Sequence, residues 1–183
     1  MVTYQVYING KPKAPLFLGQ RLCPNPGCRA HAFVVLDEGQ QLVASYPAER
    51  IDFDTVDVPQ AVVATLEEAI ACHANDCYVA AAIMVRKTLE VICHDQGAGG
   101  TNLYKRIEAL GQNVMLPHGY IEGLHDLRLL GNDGAHIEAN TFDQIGEEEV
   151  RVGIDVAKDV IRAVYQHTSM MKRLAALKKP STT

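Results

Sequence analysis

Val150, Ile154, Ala157, Ile161, Val164, Thr168 and Met171 recur at alternating spacings of four and three. Positions spaced this way return to one face of a helix, so the pattern predicts a helix with a narrow, mostly apolar seam through three heptads. Glu147, Glu148 and Glu149 stand at its start, where the positive end of the helix dipole favours acids. Running to about Lys178 at ~1.5 Å per residue, the helix would reach on the order of 45 Å and outrun its neighbours. Its end then projects or pairs with another chain, and two-fold pairing is the commonest solution. The expected assembly is a homodimer whose interface includes Tyr165, Met170, Met171 and Leu174.

Helical spacing already dominates from residue 57. Asp57 is placed to cap a helix with Pro59 near its first turn, and Val62, Val63, Leu66, Ala69, Ile70 and His73 form one face. A second helix is expected from Asn75 or Asp76. Its first half, Val79 to Val85, is apolar nearly all round, which marks the buried centre of a bundle. Gly97 to Gly100 end it. Thr101 caps a third, short helix with Leu103, Ile107 and Leu110 inward, and Pro117 opens a fourth carrying Ile121, Leu124, Leu127 and Leu130.

The first fifty residues have a period of two instead. Tyr4, Val6 and Ile8 alternate with polar neighbours, and Asn9-Gly10 supplies a turn. Ala32–Leu36 and Leu42–Tyr46 are apolar runs separated by five polar or small residues, the pattern of a hairpin. Between the first strand and this hairpin lies the C-x₄-C loop Cys23-Pro24-Asn25-Pro26-Gly27-Cys28, and Pro47 to Val58 reads as an extended linker. The expected fold is therefore mainly α. A small cysteine-bearing β segment (1–56) precedes a bundle of about five helices (57–178), with a short tail at 179–183.

Composition narrows the function classes. The 183 residues carry a formal charge of −5, which argues against coating nucleic acid through bulk charge, where a pI above about 9 is the usual footprint. A local basic site is still allowed. Trp is absent and aromatics make up 6%, so the core must be aliphatic. No apolar run approaches the ~18 residues of a membrane span. The opening MVTYQVYING lacks the basic and apolar regions of a signal peptide. Five cysteines, an odd number, point to reduced thiols and a cytoplasmic location.

The stretch Leu127-Arg128-Leu129-Leu130-Gly131-Asn132-Asp133-Gly134-Ala135-His136 carries the densest polar information. On a continuous helix Arg128, Asn132 and His136 would share one stripe. Two glycines within four residues argue for a break near Gly131 or Gly134. Asn-Asp-Gly is also ordinary turn chemistry, with His136 placed to cap loose carbonyls at a helix end.

Glu67-Glu68-Ala69, Tyr78 to Ala82 leading to Arg86-Lys87-Thr88-Leu89-Glu90, Gly100 to Tyr104, and the Arg128 to His136 stretch together resemble the family called domain of unknown function 4145. The resemblance covers about residues 60–170. Members of that family occur alone or fused to restriction-endonuclease and other phage-defence proteins. The family in turn is similar to the HEPN group of helical bundles. Active HEPN ribonucleases pair two chains around a metal-free RNA-cleaving site built on an Arg, usually followed by a polar residue, and a His four to six positions further on.

Carried over, the resemblance implies that Arg128 holds a phosphate and its developing charge. His136 moves a proton to or from the 2′-hydroxyl or the leaving oxygen, and Asn132 positions one of them. This chain departs from the pattern. Seven residues separate Arg128 from His136, and Leu129 comes directly after the Arg. That spacing suits phosphate binding better than cleavage.

Arg86 and Glu90, one turn apart on an apolar helix, read either as an exposed ion pair or as supporting residues, with Glu90 facing inward to orient His136 or Arg128. Cys23, Cys28, Cys72 and Cys77 form two C-x₄-C pairs and are the candidate ligands of a structural zinc, with inert thiols the alternative. Cys93 lies in an apolar helix and reads as core. The leading expectation is a module that binds RNA or a nucleotide and, in its catalytic form, acts as an endoribonuclease requiring neither metal nor cofactor. The alternative is a non-catalytic, dimerising interaction or regulatory module.

Overall fold

A computed structural model describes residues 2–4, 7–8, 11–12, 14–23, 27–114, 119, 122–123 and 145–177. The chain divides into two compact units, Met1–Arg50 and Ile51–Thr183.

The first unit is β. Strands β1 (Val2–Tyr4), β4 (Leu16–Leu22), β5 (His31–Leu36) and β6 (Leu42–Tyr46) form an antiparallel sheet in that spatial order. Strands β2 (Tyr7–Ile8) and β3 (Lys11–Pro12) make a separate two-stranded ribbon, with Tyr7 opposite Pro12 and Ile8 opposite Lys11. The β5–β6 hairpin carries the five-residue loop that its polar run indicates. Asp37 holds that loop, its Oδ1 accepting from the Gln41 N–H at 2.8 Å and its own N–H donating to the Gln41 carbonyl at 3.0 Å. Strand β4 has no signature in the sequence. Leu16, Phe17 and Leu18 are consecutive apolar residues with Gly19 next, so the alternation that marks a strand is missing, yet β4 pairs with both β1 and β5.

The second unit is helical. Helix α1 spans Gln60–Ala74, α2 Tyr78–Asp95 and α3 Leu103–Asn113. A last helix, α4, runs through three contiguous stretches: α-helical Glu147–Ile161, a π stretch Arg162–Gln166 and α-helical His167–Ala176. Helix α2 packs against α1, α3 and the first stretch of α4. Leu66, Leu89, Ile92, Ile107, Leu110 and Ile154 are among the largest side chains fully removed from solvent there. This aliphatic core also takes in Ile51, Phe53 and Val58, so the irregular segment ahead of α1 packs on the helices rather than acting as a free linker.

The expected fold is corrected in three respects. Among the described residues there are four helices of defined extent, not a bundle of about five, because the run opened by Pro117 falls mostly outside them. The β portion is a four-stranded antiparallel sheet rather than a small segment. A distinct C-x₄-C loop is not shown either. Residues 24–26 lie outside the described residues, and the Cys23 N–H donates to the Ala30 carbonyl at 2.8 Å to continue the β4–β5 ladder.

Helix ends also differ from expectation. Asp57 does not cap α1; Pro59 holds that position. Asp57 instead takes a left-handed φ of 62°. Asn102 rather than Thr101 caps α3, its Oδ1 accepting from the Lys105 N–H at 3.0 Å. Gly100 has to be glycine, since a Cβ would stand 2.8 Å from the Arg106 nitrogen.

Candidate functional site

Arg128, Asn132 and His136, the residues that the sequence singles out, all lie outside the described residues. Their expected supports are described. Arg86 and Glu90 sit on α2, with Arg86 Nε donating to Glu90 Oε1 at 3.2 Å and both side chains half-buried. The inward face of the same helix carries Ala82, Val85, Thr88, Leu89 and Ile92. The pair therefore flanks the buried face instead of pointing from its opposite side. Thr88 is wholly buried and spends its hydroxyl on the Met84 carbonyl at 2.9 Å, the usual resting place for a threonine inside a helix.

The cysteines separate by unit. Cys23 and Cys28 belong to the sheet unit, Cys72 to the last turn of α1 and Cys77 to the position before α2, and all are free thiols. Among the described residues, no group of three or more His, Cys, Asp and Glu side chains is arranged to hold a metal ion. Cys93 is buried, and burial pushes its thiol up to about 11. It stays protonated and inert at neutral pH.

A polar groove that sequence reasoning missed lies at the π stretch of α4. Tyr165 Oη donates to Asp95 Oδ2 at 2.8 Å, on the last turn of α2. Gln166 Nε2 donates to the Asp54 carbonyl at 3.0 Å, and Ser169 Oγ donates to Asp57 Oδ2 at 2.6 Å. These bonds fasten α4 to α2 and to the segment before α1. They border a groove of about 380 Å³ lined by Asp57, Gln96, Tyr165, Thr168, Ser169 and Lys172, among others. Burial, reinforced by the hydrogen bond to Asp95, raises the Tyr165 pKa well above the ordinary tyrosine range. The phenol is therefore a neutral donor at physiological pH, suited to holding a polar group and not to taking a proton. No local signal could have found this arrangement, because Tyr165 and Asp95 are 70 residues apart.

The π stretch also alters the seam. Val150, Ile154, Ala157, Ile161 and Val164 are buried as the heptad spacing requires. One extra residue in the turn rotates the downstream side chains about the helix axis, and Thr168 and Met171 are exposed. Among the described residues no helix is long and apolar enough to cross a membrane.

No curated protein and no solved structure matches the chain. A family model does match, over residues 67–179, which takes in α2, α3, the Arg128–His136 stretch and α4. That match spans more than half of the chain, and the chain accordingly belongs to the family described as Domain of unknown function (DUF4145).

Proposed function

We propose that the helical unit binds the phosphate of an RNA or a nucleotide through Arg128, Asn132 and His136. The observation that supports this reading is the segment itself: a cation, an amide and an imidazole at spacings of four, among glycines that allow a ligand to approach the backbone. The segment falls inside the family-matched residues. Arg128 supplies the phosphate contact, His136 a group that changes charge near neutrality, and Asn132 the orientation of either. Glu90, paired with Arg86, is the proposed supporting acid. The stronger form of the reading, drawn from the resemblance to HEPN ribonucleases, is a metal-independent endoribonuclease acting in phage defence. Five cysteines support a reducing compartment, the cytoplasm, for either form.

A labelled single-stranded RNA, monitored by fluorescence anisotropy, tests the binding. The wild-type chain binds it and His136→Ala binds it less tightly; equal binding by both removes His136 from the site. Cleavage of the same RNA, where it occurs, persists in EDTA and is lost in His136→Ala.

A specific feature favours the second reading, a homodimeric interaction module. Met170, Met171 and Leu174 on the last stretch of α4, and Leu177 just after it, are each more than half exposed. Beside them lies an open groove of about 700 Å³ lined by Val114, Ala163, Met170, Met171 and Ala175, among others. A second copy of α4 is the occupant that the length of this helix calls for. Light scattering at micromolar concentration gives about twice 20.0 kDa in that case, and a mass of one chain rules the dimer out.

A further inference from the structure

Helix α1 ends without a glycine. Asp76 adopts the left-handed backbone, at φ 58°. The Cys77 N–H donates back to the Cys72 carbonyl at 2.9 Å, and the Asp76 N–H to the His73 carbonyl at 3.1 Å. These are the paired 6→1 and 5→2 bonds of a Schellman ending, which places the first and last of its six residues side by side. Here both of those residues are cysteines. With 2.9 Å between the Cys77 nitrogen and the Cys72 carbonyl oxygen, bond lengths keep the two Cα atoms within about 7 Å, the limit beyond which a disulfide cannot form.

The thiols themselves agree with this placement. Both are free, Cys72 half-buried and Cys77 exposed. Burial raises the Cys72 pKa, and the neighbouring Cys77 raises it further, ahead of Glu68. Cys77 Sγ donates to the Asn75 carbonyl at 3.4 Å, and the turn has further braces that do not involve sulfur. Tyr78 Oη donates to Asp76 Oδ1 at 2.8 Å, and the His73 ring meets the Tyr78 ring edge-on at 5.9 Å. The backbone bonds and the Tyr78 contacts hold the turn with both cysteines reduced.

We propose that Cys72 and Cys77 are a redox pair that closes to an intramolecular disulfide on exposure to a low-molecular-weight disulfide. The exposed Cys77 thiolate attacks one sulfur of the small disulfide, forming a mixed disulfide and releasing one small thiolate. The Cys72 thiol, losing its proton to solvent, then attacks Cys77 Sγ and displaces the second. Two protein thiols are oxidised to one disulfide while one small disulfide is reduced to two thiols. The closed bond straddles the turn and fixes α1 against α2.

Glutathione disulfide is the probe, applied to the full chain in its native state, with alkylation and tryptic mapping afterwards. Trypsin yields Ile51–Arg86 as one peptide whose only cysteines are Cys72 and Cys77. The expected result is that this peptide loses two hydrogens and takes up no alkylating agent, and that dithiothreitol restores both sites. In Cys72→Ser, Cys77 instead retains a glutathione adduct, because the second step has no attacker. A wild-type peptide that carries glutathione or two alkyl groups after oxidation overturns the proposal, as does a Cys72→Ser chain with no adduct at Cys77.

Discussion

The two ends of α4 share one apolar spacing and do opposite things. In Glu147–Ile161, Val150, Gly153, Ile154, Ala157, Val160 and Ile161 are all buried. In His167–Ala176 no residue is buried, although Met170, Met171 and Leu174 are as apolar as their counterparts. Between them lies the π stretch, where Tyr165, Gln166 and Ser169 hydrogen-bond to α2 and to the segment before α1. Apolar spacing therefore specifies a helix and a face, but not what covers the face. The first end is part of a core, and the second is a surface waiting on a partner or on solvent.

The largest expected effect separates the two ends directly. Ile154 is fully buried, so Ile154→Ala costs about 2–5 kcal/mol through lost burial and the cavity left behind. Urea unfolding measures it. Met171, at 60% exposed, gives less than about 0.5 kcal/mol on the same substitution in the single chain. A comparable cost at both positions would mean that the second end is covered within one chain.

Tyr165→Phe sharpens the boundary between the ends. It removes one hydrogen bond to a carboxylate at a half-exposed position and costs about 1 kcal/mol. The same bond carries a pH signature. Because the folded-state pKa of Tyr165 is raised, its contribution is complete below the ordinary tyrosine value of about 10 and is lost as pH rises through the folded value. Tyr78, pushed up to about 12 chiefly by its bond to Asp76, behaves in the same sense. Stability of the wild type should therefore fall above pH about 10, and Tyr165→Phe should lose less over that range. Parallel alkaline curves for the two chains would show that Tyr165 is not the group responsible.

The smallest stability effect is expected at the helix surface. Asp155→Ala breaks an i,i+3 pair with Lys158 at 3.3 Å, with the Asp155 side chain 59% exposed. A pair of this kind contributes on the order of 0.3–0.5 kcal/mol. Leu174→Glu likewise leaves single-chain stability nearly unchanged while abolishing any dimer seen by light scattering.

The helical unit is legible in the sequence where periodicity and burial coincide. Leu103, Ile107 and Leu110 face inward on α3, and Val62, Leu66, Ala69 and Ile70 do so on α1. The hairpin around Asp37 is legible for the same reason, since its loop is polar and its flanks are apolar. Strand β4 is hidden because Gly19 interrupts a run without alternation. Asp57 misleads because an acid before Pro59 looks like a cap, whereas its carboxylate accepts from Ser169, a residue 112 positions away. The turn of register at Arg162–Gln166 has no local marker, since any residue can occupy a π turn. The candidate site divides in the same way. Arg128, Asn132 and His136 stand out by type and spacing, while the groove around Tyr165 depends wholly on tertiary partners.

The phosphate-binding reading is tested most directly by titrating a labelled single-stranded RNA into the wild-type chain and into Arg128→Ala across a series of salt concentrations. The account predicts weak, salt-sensitive binding by the wild type, and in the variant lower affinity with a salt slope reduced by about one, the loss of a single phosphate contact. Identical isotherms for the two chains, or no wild-type binding even at low salt, would contradict it and leave the interaction module as the better description.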